Sequence, residues 1–196
     1  EDLERFVREA QTAAKLSHPH IVPLYEVGEY DGRHYIAMEF IEGQTLAKLR
    51  VEPRKALEIF CAVAGAIQYA HEKGIIHRDL KPQNLMLSGE HAWVMDFGLA
   101  RQLKGGTTLT MSGSVVGTPA YMPPEQAEGK RCDERSDVYS LGATLYDLVT
   151  GHAPFDGPDP LAILDKVRTQ DPIPPRRYDP KLDPEVETIV AKAMEK

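Results

Sequence analysis

The chain has 196 residues, 42% apolar and 27% charged, ordinary values for a globular domain with a real core. Lys and Arg number 23 against 30 Asp and Glu, a formal net charge of −7, which argues against a phosphate-backbone binder and so against nucleic acid as a partner. Two cysteines, Cys61 and Cys132, are too few for a disulfide-stapled secreted fold.

Taken in chain order, residues 3–16 set Leu3, Phe6, Val7, Ala10, Ala13 and Ala14 at three- and four-residue steps, the mark of an amphipathic helix. The start lacks Met, a basic leader and an apolar leader core, so a piece of a longer protein is expected. Ser17-His18-Pro19 ends the helix, because proline disfavours helical backbone in the residue before it. The histidines flanking Pro19 read as a turn rather than a metal site. Two strand-like runs follow, residues 21–27 and 34–41, with Asp31-Gly32 between them as a hairpin turn.

Glu42-Gly43 marks a boundary, after which the chain becomes mainly helical. Residues 54–73 put Leu57, Phe60, Cys61, Ala64, Ile67 and His71 on one face, making Cys61 a core thiol, and Gly74 stands where a C-terminal cap belongs. The apolar part of this segment is interrupted by Glu58 and Gln68 and is too short and polar to span a bilayer, so no membrane contact is expected from it. Residues 85–87 and 92–95 are short apolar runs joined through Ser88-Gly89-Glu90. Residues 104–117 are rich in Gly, Thr and Ser and read as a long surface loop. Ser136 is expected to cap a helix with Val138, Leu141, Leu145 and Leu148 inward, stopped by Gly151. A short helix over 161–168 and a last one over 184–196 complete the order.

The stretch that carries chemistry is Ile76-His77-Arg78-Asp79-Leu80-Lys81-Pro82-Gln83-Asn84, followed by Asp96-Phe97-Gly98. Phosphoryl transfer needs a carboxylate to orient the attacking hydroxyl and hard oxygen ligands for Mg²⁺. Asp79, Asn84 and Asp96 supply these, and Lys81 adds a cation where phosphoryl charge must be offset.

With Gly117-Thr118-Pro119-Ala120-Tyr121-Met122-Pro123-Pro124-Glu125 and Ser136-Asp137-Val138-Tyr139-Ser140-Leu141-Gly142 added in the same order, the sequence resembles the eukaryotic-type protein kinases, and among them the bacterial serine/threonine kinases. The resemblance implies an α+β, two-lobed kinase-like fold. Residues 1–41 would be part of the small N-terminal lobe (a helix, two strands and the start of a hinge), and residues 42–196 a mainly helical lobe with the catalytic loop and activation segment. It implies transfer of the ATP γ-phosphoryl group to protein Ser/Thr hydroxyls, with ATP and Mg²⁺ as cofactors. The alternative is a pseudokinase that binds partners without catalysis.

Carried over by position, Asp79 would orient the hydroxyl proton, and Asn84 and Asp96 would hold Mg²⁺. Lys81 would mark serine/threonine specificity, and Thr118 would support Asp79 and Lys81. Glu9 would pair with a nucleotide-contacting lysine. Met38 would be the gatekeeper, Glu39 to Ile41 the hinge, and Met86 would pack beneath adenine. Asp137 would anchor the catalytic loop, His77 and Phe97 would join an apolar stack with Ala13 and Leu24, and Gly98 and Glu125 would serve as structural residues. Arg78, next to Asp79, is the pattern of kinases switched by loop phosphorylation, for which Thr110 and Ser112 are favoured, with a second copy of the chain as the phosphorylating partner.

The sequence departs from the pattern in having no Gly-x-Gly-x-x-Gly and no strand lysine, since Lys15 is the only lysine before the hinge. A kinase domain truncated at both ends is therefore expected, the fragment itself inactive. Its expected location is the cytoplasm, alone or as the cytosolic part of a membrane-anchored kinase.

Overall fold

The computed structural model describes residues 13–97 and 119–196. The helix expected over residues 3–16 lies outside them except at its end, and Glu9, Gly98, Thr110, Ser112 and Thr118 lie outside them entirely. Strands β1 (Leu24–Tyr30) and β2 (Arg33–Met38) pair antiparallel. Asp31 and Gly32 turn between them with φ of 50° and 68°, positive at both central positions as a type I′ turn requires.

The expected strand over residues 21–27 needs correction. Ile21 and Val22 stay out of the hairpin and lie along Val94, with an Ile21–Val94 bridge and Val22 N donating to Val94 O at 2.9 Å. Both are buried, so their apolar character serves the core and not the pleat of β1. The same region is tied to its neighbours by rings: His20 stacks on His91 at 4.4 Å, and the Tyr69 hydroxyl accepts Ser17 N at 3.3 Å.

A three-stranded antiparallel sheet has the order β3 (Gln44–Thr45), β4 (Leu85–Ser88), β5 (His91–Val94). The helices are α1 (Pro53–Glu72), α2 (Pro124–Ala127), α3 (Glu134–Thr150), α4 (Pro160–Thr169) and α5 (Pro184–Ala193). Together they make an α+β fold in which α3 is flanked by α1 and α5.

Helix α1 begins with Pro53 in its first turn, where a missing N–H costs nothing. It ends in a Schellman motif: Gly74 sits at φ 72° with its N–H on His71 O at 2.8 Å, and Ile75 N reaches Ala70 O at 2.9 Å. Its buried stripe is Ala56, Ile59, Val63, Ala66, Ile67 and Ala70. The face read from sequence is therefore rotated, and Cys61 is exposed, not a core thiol. Leu57, Phe60 and Ala64 are partly buried along the flanks of the stripe, which is why periodicity pointed to the neighbouring phase.

Helix α3 is capped by Asp133, and Ser136 is the third helical residue of a capping box. Val138 faces outward and is 46% exposed, whereas Leu141 and Leu145 are buried. One core cluster gathers α1, β4, β5 and Phe97. A second gathers α3, Tyr121, Phe155 and the inner sides of α4 and α5.

Candidate active site

Asp79 lies between α1 and β4, on a loop that ends in the 3-10 turn Pro82–Asn84. Lys81 Nζ is 2.8 Å from Asp79 Oδ2, and Asn84 Nδ2 donates to the same oxygen at 3.0 Å and to Asp79 O at 2.8 Å. The loop thus folds back on its own carboxylate. Asn84 is buried, and Met95 N donates to Asn84 O at 3.0 Å, which ties the loop to the residue before Asp96.

Two residues here have left-handed backbone without being glycine: Arg78 at φ 66° and Asp96 at φ 58°. Each such conformation costs about 1–2 kcal/mol in a chain of L-residues and persists only where surroundings impose it. At Arg78 the surroundings are clear. Asp137, wholly buried in the first turn of α3, accepts His77 N at 2.7 Å and Arg78 N at 2.8 Å, and Gln126 Nε2 donates to Arg78 O at 3.3 Å.

His77 is wholly buried with its ring centroid 4.6 Å from that of Phe97. Its Nδ1 accepts Asp79 N at 3.3 Å, so Nε2 carries the proton and donates to Met95 O at 3.1 Å. Burial holds its pKa below the ordinary imidazole value, against raising influences from Asp137, Asp79, the Met95 carbonyl and Asp96. A neutral, doubly bonded ring suits packing and not proton transfer to substrate.

Asp96 is exposed as a residue. Its carboxyl is nevertheless pushed up from the ordinary aspartate value, by desolvation first, with His77 lowering it, Asp79 raising it and Lys81 lowering it. The bond of Met95 N to Asn84 O is what brings the chain at Asp96 to the loop of Asp79 and Lys81. Asn84 spends its amide nitrogen on Asp79, which leaves the carboxamide oxygen as a hard oxygen able to serve a cation. Among the described residues no group of three or more His, Cys, Asp or Glu is arranged to hold a metal. Mg²⁺ needs none, because it binds through one or two protein oxygens, waters and phosphates. The donor set present fits it.

Met38 closes β2, and Met38, Ile41 and Met86 are half-buried. Glu39 commits its N–H to Pro23 O at 2.9 Å and its carboxylate to the Tyr25 hydroxyl. Glu125 Oε1 accepts Ser136 Oγ at 2.5 Å. Two contributors escaped the sequence reading: His71, whose Nε2 is 2.8 Å from Asp137 Oδ2, and Asp147, whose Oδ2 accepts the Tyr121 hydroxyl at 2.5 Å. The signal for the first was a titratable residue in the last turn of the helix that feeds the loop.

Residues 1–194 match the family described as protein kinase domain. The chain belongs to that family. Within the protein kinases it is 44% identical over 203 residues to the serine/threonine-protein kinase PknB of Mycolicibacterium smegmatis, covering 98% of this chain and 32% of that protein. The chain therefore spans about a third of the length of the curated relatives it matches. Among solved structures, the kinase domain of Mycobacterium tuberculosis PknI superimposes with a TM-score of 0.76 at 30% identity, covering 98% of this chain and 71% of that one. Rad53 in complex with AMP-PNP superimposes with a TM-score of 0.78 at 28% identity, covering 97% and 49%. The α+β arrangement is thus the kinase fold. Among the described residues, no helix is long and apolar enough to cross a membrane.

Proposed function

We propose that the protein containing this chain is a serine/threonine protein kinase that transfers the γ-phosphoryl group of ATP to protein hydroxyls. The observation that carries this reading is the Asp79 carboxylate held by Lys81 and Asn84 on one loop, with Asp96 close enough for their charges to act on it. The similarity to PknB of M. smegmatis and the AMP-PNP complex of Rad53 support the same reading.

In this reading Asp79 orients the substrate hydroxyl and takes its hydrogen bond, while Lys81 holds Asp79 and stands beside the migrating charge. The Asn84 oxygen and the Asp96 carboxylate are the residues for Mg²⁺, which would neutralise the phosphate oxygens. Adenine would lie between Met38 and Met86, against backbone groups of Glu39 and Ile41. Catalysis then rests on positioning and on charge placed in advance, with no covalent intermediate.

A polypeptide acceptor is favoured by the match to the protein kinase family and by the similarity to the serine/threonine-protein kinase PknB of M. smegmatis. Arg78 is the proposed reader of a phosphate on Thr110 or Ser112, supplied by a second copy. An ATP-dependent enzyme with two unpaired thiols suits the cytoplasm, alone or as the cytosolic part of an anchored protein.

The test is to incubate the full-length protein with γ-labelled ATP and either a generic basic protein or a panel of sugars and aminoglycosides. Label on protein Ser/Thr is expected. Label confined to small molecules, or none, contradicts the proposal.

A further inference from the structure

We infer that Ser88 and Gly43 are positioning residues for the nucleotide: together they pin the exit of the hinge to β4, the strand that carries Met86, and so set the spacing of the adenine slot. The inference rests on the reading of Met38, Glu39, Ile41 and Met86 as the adenine site.

The two ends of the segment 39–43 are held by different elements. At its start, Glu39 N donates to Pro23 O at 2.9 Å and the Tyr25 hydroxyl donates to the Glu39 carboxylate, so the segment leaves the β1–β2 hairpin in a fixed direction. At its end, Ser88 Oγ donates to Glu42 O at 2.7 Å. The next residue, Gly43, lies against β4. A Cβ there would meet Leu87 O closer than side chains can approach, with Leu87 C at 3.1 Å and Ser88 Cα at 3.3 Å. Those atoms are backbone and cannot rotate out of the way. Beyond Gly43 the chain pairs with the same strand, Gln44 opposite Leu87 and Thr45 opposite Met86. One hydroxyl and the close approach of two backbones thus space the hinge from Met86.

Of the two sides, β4 is the one that does not yield. It is the middle strand of its sheet, and Leu85, 2% exposed, pairs with the wholly buried Val94. The residue before it, Asn84, is bonded to Asp79 and to Met95 N. β3 has two residues and lies at the edge of the sheet. A side chain at position 43, or loss of the hydroxyl at 88, is therefore taken up by the hinge, which shifts relative to Met86 while Asp79 and Asn84 stay in place. The consequence falls on ATP affinity and not on the transfer step.

The experiment compares Ser88→Ala, Ser88→Thr, Gly43→Ala and the double variant Ser88→Ala with Gly43→Ala in the full-length protein. The Kd for ATP is measured by titration calorimetry in the presence of Mg²⁺, alongside kcat and thermal stability. Threonine keeps the hydroxyl and suits a strand, whereas alanine removes it. The expected result is a Kd about threefold higher for Ser88→Ala and about tenfold higher for Gly43→Ala, with kcat within about twofold, and a Kd within about twofold of the parent for Ser88→Thr. The double variant is expected to lose less than the product of the single effects, because a hinge released from Ser88 can move off β4.

Unchanged ATP affinity in Ser88→Ala or in Gly43→Ala overturns the inference, whether or not stability falls. So does a Ser88→Thr variant as weak as Ser88→Ala, a kcat that falls as far as the affinity, or a double variant whose effects multiply. If Gly43→Ala does not fold, the alanine–threonine pair at Ser88 still decides. An unsubstituted protein that binds no ATP refutes the underlying reading; one that binds it while the variants match it refutes this inference alone.

Discussion

His77 Nδ1 accepts the Asp79 amide at 3.3 Å, so the imidazole cannot take a second proton without losing that bond. Burial already holds its pKa down, which gives the sign of a pH effect. The unfolded chain binds a proton at an ordinary imidazole near pH ~6.5, whereas the folded chain resists it, so this contribution to stability is complete above about 6.5 and is lost as pH falls below. His77→Phe keeps a ring against Phe97 and removes the titration. Urea unfolding between pH ~5 and ~7 should then show a flatter dependence of stability on pH. An equal slope would contradict the assignment.

Asp96 carries the opposite sign. Its carboxyl is pushed up by desolvation first, so the folded state is penalised once the group ionises. Asp96→Asn should raise the melting temperature near pH 7, with the gain shrinking as pH is lowered toward the ordinary aspartate value of ~4. The same variant should lose turnover in the full-length protein, because a carboxamide is a poorer cation ligand. A variant that melts lower at pH 7 would show that the charge is accommodated without penalty.

What could be read from sequence and what could not divide along the separation of the partners. Asp79, Lys81 and Asn84 meet within one loop, so a local motif holds the whole arrangement. The Asp31-Gly32 turn and the Gly74 cap were likewise local, each set by a residue that tolerates positive φ. The His71–Asp137 pair joins two helices across 66 positions and leaves no local mark. Helix α1 has apolar side chains on its flanks as well as its stripe, so periodicity permitted a rotated face and put Cys61 inside. Ile21 and Val22 read as strand because they are β-branched, but their partner is Val94, far along the chain. Asp133 and Ser136 are both good N-caps. Only the folded bonds, Arg135 N to Asp133 at 2.9 Å and Asp133 N to Ser136 at 3.2 Å, choose between them.

At Gly142, α3 passes close against the end of α5. A methyl group there would stand 2.7 Å from Ala193 Cβ and 3.1 Å from Met194 Cγ. Alanine gains about 1 kcal/mol in helix propensity over glycine, but overpacking costs typically 1–3 kcal/mol, and Ala193 Cβ cannot rotate away. Gly142→Ala should lower stability by roughly 1 kcal/mol, and Ala193→Gly should couple to it favourably in a double-mutant cycle. Additive effects in urea denaturation would mean that the helices separate without cost.

The most direct measurement is single-turnover phosphoryl transfer by Asp79→Asn in the full-length protein, alongside its affinity for ATP. A fall in the transfer rate of about 100-fold or more, with ATP affinity within about threefold, is the predicted result, since the substitution removes the base and leaves the nucleotide's contacts in place. Transfer at close to the unsubstituted rate would contradict the account.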